Sequence, residues 1–269
     1  MLNLNLFFHT HYTDDILIKH TNNRMEPQIL DLICRFFTPK MLISTFGFAT
    51  MKQLFGKWGT SEQQKNTIRE VNGLVHAFIA SFLSINAFLS EPKLELDLMY
   101  STNVWAENCV NISTGYFLAD TLIIIFRRQK NEENTFNANI LFHHLAAFGA
   151  LYYALCSNFF MRYSTMWLLL EVSSILLKAR KIWKINNFPG IGDIRNHILV
   201  VLNLTLFIVF RLFVIIFAIS WWSKNINRIS LFYTVLPFSG SIVVGVINIR
   251  YFHLLLKSDI MPMIRSYAK

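Results

Sequence analysis

Charge is what this chain has least of. Asp, Glu, Lys and Arg make up 15% of its 269 residues, against 54% hydrophobic and 15% aromatic, and its mean hydropathy is +0.39. A soluble domain of this length cannot bury that much apolar surface, which leaves lipid as the solvent. Cysteine is nearly as scarce. Cys34, Cys109 and Cys156 stand alone, so there is no disulfide framework and no zinc-ligand spacing, and each reads as a small residue inside an apolar segment. No Gly/Ser linker, charge block or internal repeat divides the chain, so one membrane domain is expected. The alternating segments of about ten residues that mark an outer-membrane barrel are absent too. In the first 28 residues no basic region precedes a long apolar one, and no cleaved signal peptide is expected.

What remains is a series of long apolar runs. A hydrocarbon layer about 30 Å thick takes roughly 20 residues of helix, and spans are expected near 29–51, 71–90, 102–126, 140–157, 161–178, 197–222 and 230–256. Asp31, Arg35, Pro39 and Lys40 interrupt the first, which gives it an interfacial alternative. The reading is an all-α polytopic membrane helix bundle of about seven spans: a polar tail over 1–28, a membrane domain over 29–257 and a C-terminal tail over 258–269.

The net charge of +9 is arranged by membrane side. Lys52, Lys57, Lys65 and Arg69 precede the second span, Arg127, Arg128 and Lys130 follow the third, and Lys178, Arg180, Lys181, Lys184 and Arg195 follow the fifth. The alternate connections are poor in cations. The positive-inside rule then puts the N-terminus outside and the C-terminus in the cytosol, and no nucleic-acid partner is implied. The sequons at Asn111 and Asn203 fall within spans, where glycan transfer does not reach.

Ionisable groups inside a bilayer are costly and mark functional sites by default. At 1.5 Å rise per residue, seven residues are about 10 Å of helix. Asp120, Glu171 and Arg250 each stand seven residues before a boundary cation, His76 stands seven after Arg69, and the adjacent pair His143-His144 opens the fourth span. These six residues from five spans share one layer near the cytosolic surface. A histidine beside a carboxylate can act as a general base, and Asp120 and Glu171 are the candidate carboxylates; the bland alternative is a salt bridge of either with Arg250 that only holds helices together. Neighbouring helical residues point about 100° apart, so one histidine faces the layer while the other braces a helix. No metal is expected, since the i,i+4 chelating pattern H-E-x-x-H is missing. Arg211 lies deeper, 13 residues before Lys224 and 15 after Asn196; Glu107 and Asn203 are both open as its partner. Gly47, Gly73, Gly115, Gly149 and Gly245 read as close-packing sites. Trp167, Trp221 and Trp222 read as packing or interfacial residues, the last two at the outer end of the sixth span.

In order along the chain come Asn72-Gly73-Leu74-Val75-His76, Ser113-Thr114-Gly115-Tyr116-Phe117-Leu118-Ala119-Asp120, His143-His144, Glu171-Val172-Ser173-Ser174, Arg180 and Phe210-Arg211. This ordered set resembles the TRAM-LAG1-CLN (TLC) domain family, especially its small members of the type 4 group, over about 67–257. The resemblance implies a helical membrane fold around a lipid-accommodating space, usually in the endoplasmic reticulum and sometimes at the plasma membrane. In the ceramide synthases of this family a histidine pair with a downstream aspartate pair serves acyl transfer from acyl-CoA to a sphingoid amine. Here Glu171 has no acidic neighbour at that place, so the reaction does not carry over directly.

Three readings follow. In the first, the chain handles acyl lipids and tunes membrane lipid composition, with His76, Asn72, Tyr116, Arg180, Arg211 and Arg250 as lipid contacts. In the second, it is an acyl-CoA-dependent N-acyltransferase using His143, His144, Asp120 and Glu171. In the third, it is a non-catalytic adaptor or chaperone. Membrane lipids are the expected partners, acyl-CoA enters only as a substrate, no cofactor is implied, and a homo-oligomer is compatible with all three.

Overall fold

A computed structural model describes residues 38–58, 61–91, 98–129, 138–186, 194–225 and 231–261. Every element among them is helical: α1 Pro39–Trp58, α2 Glu62–Leu89, α3 Val104–Gln129, α4 Ala138–Ser157, α5 Met161–Leu168, α6 Leu170–Ile185, α7 Ile194–Phe207, α8 Phe213–Asn225 and α9 Leu231–Leu255. A π-helical turn, Ile208–Leu212, joins α7 to α8, and another, Leu256–Ile260, continues α9. Among the described residues, five stretches are long and apolar enough to cross a membrane: Gln63–Leu89, Val104–Phe126, Ile140–Ser157, Ile194–Asn225 and Phe238–Ile260. The chain is an integral membrane protein of helical architecture.

Local sequence sets the helix ends. Ser61 opens α2 with a capping box: its hydroxyl accepts from the Gln64 amide while the Gln64 side chain accepts from the Ser61 amide, which satisfies amides a helix start leaves free. Asn103 opens α3 by accepting from the Ala106 amide at 2.8 Å.

Two expected spans differ in detail. The first is helical from Pro39 and runs on to Trp58, past its expected end; positions 29–37, with Cys34, lie outside the described residues. The fifth was expected as one helix over 161–178 but divides at Leu169, whose amide bonds the Met166 carbonyl at 3.1 Å, a one-residue-tighter turn. An apolar run carries no mark of such a break. Beyond it α6 continues to Ile185, because Lys and Arg are good helix formers and this basic stretch finds carboxylates on neighbouring helices.

The pairing of side chains along the helices gives their directions. Lys40–Glu107, Ser44–Ile112 and Lys52–Asp120 have sequence separations of 67, 68 and 68, so α1 and α3 run parallel. Between α2 and α3 the partners move oppositely, Ala87 with Asn103, Ala80 with Cys109 and His76 with Ser113, which is antiparallel. By the same test α5–α6 is antiparallel to α7–α8, through Tyr163–Trp222 and Ser174–Arg211, and parallel to α9, through Tyr163–Ser241 and Arg180–Asp259. Spans consecutive in sequence, α2 with α3 and α5–α6 with α7–α8, thus run in opposite directions, as a chain threading back and forth through a layer requires.

Lipid removes the hydrophobic drive between helices, so close packing must hold them. Ala77, Ala80 and Ala87 on α2 and Ala106 on α3 are fully buried, whereas Phe82, Ile216 and Val246 stand 60 to 63% exposed on outer faces. Of the five glycines expected at close contacts, only two are. A Cβ on Gly115 would meet the Met41 carbonyl oxygen at 2.7 Å, so its absence lets α1 and α3 touch; one on Gly73 would meet the Lys178 ammonium at 2.5 Å. Gly47 and Gly149 face open space, and Gly245 makes ordinary contact.

Candidate functional site

The polar layer assembles around Asp120. Lys52, at the far end of α1, donates from Nζ to Asp120 Oδ1 at 2.6 Å, with side chains only 3% and 9% exposed. The other carboxylate oxygen lies 3.0 Å from His144 Nδ1, within ion-pair distance but off the line of a good hydrogen bond. One carboxylate thus joins a cation on α1 to an imidazole on α4. Lys52 was expected only as a cytosolic boundary charge; depth along the chain does not reveal that α1 lies against α3.

Aromatic rings enclose the imidazoles. The His76 ring stacks on Tyr116 at 3.9 Å and 6°, with Nε2 at 3.1 Å from Ser113 Oγ. Phe48 meets both edge-on, and Phe117 stands edge-on to His76, His143 and His144. His144 turns toward Asp120, while His143, its centroid 5.7 Å away, is exposed on α4. The 100° step between neighbours gives the pair these two outlooks.

A second group lies on α6. Glu171, Ser174 and Lys178 follow at i, i+3 and i+7 and share one face. Glu171 acts electrostatically on His76, Lys178 and Arg211, and the Lys178 ammonium reaches in beside Gly73 and the Tyr116 hydroxyl. Arg211 sits within the π-turn. Its Nε donates to Ser173 Oγ at 2.6 Å, Nη1 to Asn248 Oδ1 at 2.7 Å and Nη2 to Ser174 Oγ at 2.9 Å.

Neither partner expected for Arg211 is used. Glu107 pairs with Lys40 at 3.0 Å on the opposite side of the layer, and Asn203 is fully buried with both amide atoms unpartnered. Helix rise fixes depth but not which way a side chain points, and here direction decided. Arg250 also departs: it is exposed on α9 and pairs with neither Asp120 nor Glu171. Arg180 is buried with Asp259, which it meets together with Lys184; Asp259 lies in the π-helical continuation of α9, where a solvated tail was expected. Asn72 is buried with Oδ1 unpartnered. Of the two readings open for Trp222, packing holds: it is fully buried and donates to the Tyr163 hydroxyl at 2.7 Å. A groove of about 620 Å³ runs past His253, Leu256, Lys257, Ile260 and Met261, and is not lined by His76, His143 or His144.

A bundle of long apolar helices that brings lysine, carboxylate and histidine together in its interior defines a helical membrane protein with a buried polar cluster. The TLC domain family matches residues 70–257, and the chain belongs to that family. It is 25% identical to TLC domain-containing protein 2 of Danio rerio over 71% of this chain and 76% of that protein. It is 26% identical to TLC domain-containing protein 1 of Gallus gallus, over 71% and 73%, and 25% identical to the Homo sapiens protein of that name, over 70% and 72%.

Proposed function

We propose that this protein handles acyl lipids and contributes to membrane lipid composition, with the layer around Asp120 as the polar end of its lipid site. The observation that carries this is the buried contact chain Lys52–Asp120–His144, a costly arrangement in a membrane, set among apolar helices whose exposed faces suit acyl chains. On this reading the chain crosses seven times: the five long helices, α1, and α5 with α6 as one broken crossing. The N-terminus is outside, the C-terminus is cytosolic, and the compartment is the endoplasmic reticulum.

One observation favours a catalytic version. Asp120 lies 3.0 Å from His144 Nδ1, which would favour the proton on that nitrogen and make Nε2 the basic one. In an N-acyl transfer, Nε2 would take the proton of an amine attacking an acyl-CoA carbonyl as the carbon–sulfur bond breaks, then pass it to the departing thiolate.

Purified protein in nanodiscs, supplied with acyl-CoA and read by lipidomics beside His143→Ala and His144→Ala, tests both versions. A product lost in folded variants supports catalysis, and co-purified lipid without turnover supports handling alone. Wild-type protein with neither product nor bound lipid refutes both. Protease protection of a C-terminal tag in sealed microsomes would refute the topology.

A further inference from the structure

Beside Glu70, a buried carboxylate that pairs with Arg69 and Lys181, the polar layer holds three cations and two carboxylates: Lys52, Lys178 and Arg211 against Asp120 and Glu171. Lys52 and Asp120 are in direct contact, so Glu171 must serve two cations. It contacts neither closely, since no carboxylate among the described residues lies within ion-pair distance of Arg211 or Lys178. An uncompensated cation at this depth is expensive.

The way Arg211 is held points in the same direction. Ser173, Ser174 and Asn248, three neutral acceptors, take one hydrogen bond each from its Nε, Nη2 and Nη1. The Asn248 amide is itself fixed, because Nδ2 donates to the Val244 carbonyl at 2.8 Å. One face of the guanidinium lies 5.2 Å from the Phe207 ring centroid. Neutral partners orient the fork without cancelling its charge, and a guanidinium has five donors, so N–H groups on both terminal nitrogens stay available for a bidentate oxyanion. Ile208–Leu212 is also a π-turn in an otherwise α-helical span, a distortion that clusters at functional sites. Lys178 is half-buried one helical turn beyond Ser174, and His143 on α4, which Lys178 and Arg211 influence electrostatically, is exposed.

We propose that Arg211, supported by Lys178, receives the anionic end of an acyl lipid, a carboxylate or a phosphate, and so supplies the missing negative charge. This rests on the lipid-handling reading and names the class of lipid.

The full chain in phosphatidylcholine nanodiscs would be labelled with three photoreactive probes sharing one acyl chain: a free fatty acid, a lysophosphatidate and a neutral monoacylglycerol. Wild-type protein is expected to capture one or both anionic probes in preference to the neutral one, and which of the two identifies the headgroup. Arg211→Gln should reduce anionic capture at least roughly tenfold, the worth of one charge-assisted hydrogen bond, and with it the preference over the neutral probe. Lys178→Gln, less enclosed and expected to fold, should reduce anionic capture several-fold. Equal capture of neutral and anionic probes by wild-type protein overturns the proposal while lipid handling stands. So does undiminished anionic capture by Lys178→Gln and by Arg211→Gln shown by thermal melting to be folded. Failure of every probe to label wild-type protein overturns both.

Discussion

Lys52 and Asp120, 68 residues apart in sequence, meet at 2.6 Å in the interior of the bundle, and the same carboxylate touches His144. The pair is first of all a structural joint. Lys52→Met should destabilise the fold by about 3–5 kcal/mol, because Asp120 is left as a buried charge without its cation. Combining it with Asp120→Leu should recover much of that loss. Thermal unfolding in detergent, run as a double-mutant cycle, measures both; additive effects would mean the pair is not coupled.

Gly115 and Gly149 should respond oppositely to the same change. Gly115→Ala places a methyl against the Met41 carbonyl and the Ser44 side chain, both anchored on α1, and overpacking of this kind costs about 1–3 kcal/mol. Gly149→Ala meets nothing within 4 Å and should leave stability unchanged or slightly raised, as alanine favours helix. Comparing the two melting temperatures in one detergent checks this.

Tyr163 links two helices through one hydroxyl, which receives the Trp222 Nε1 proton at 2.7 Å and lies 2.6 Å from Ser241 Oγ. Tyr163→Phe leaves the buried indole N–H unpaired and should cost about 1–3 kcal/mol. Ser241→Ala should cost less, because the tyrosine still accepts from the indole. Tryptophan fluorescence followed through unfolding reports both.

Asp259 ties the π-helical continuation of α9 to α6. It contacts Arg180 and Lys184, and it and Arg180 are both buried. Truncation after Lys257, or Asp259→Asn, should lower the melting temperature by several degrees, and truncation after Met261, which keeps Asp259, should lower it less. Equal stability of the two truncations would mean the contact contributes nothing.

Parts of this were open to reading along the chain. Helix length and apolar content give the five long spans, because a bilayer demands both. Rise per residue places His76, Asp120, His144 and Glu171 at one level, because depth in a helix is linear in sequence. The ends of the layer were less legible: Asp259 read as part of a tail, and Trp222 as either a packing or an interfacial residue. Each lies near a span terminus, where composition changes before the packing does.

By itself the sequence determined that this protein lives in lipid as a helical bundle, and that a few costly polar groups share a level within it, since solvent and helix geometry act on the chain locally. Only the tertiary structure decided which groups meet. Lys52 rather than Arg250 takes Asp120, and Ser173, Ser174 and Asn248 rather than Glu107 or Asn203 hold Arg211. Those choices depend on the rotation of each helix about its axis and on which helices are neighbours, and both are settled by packing across residues far apart in the chain.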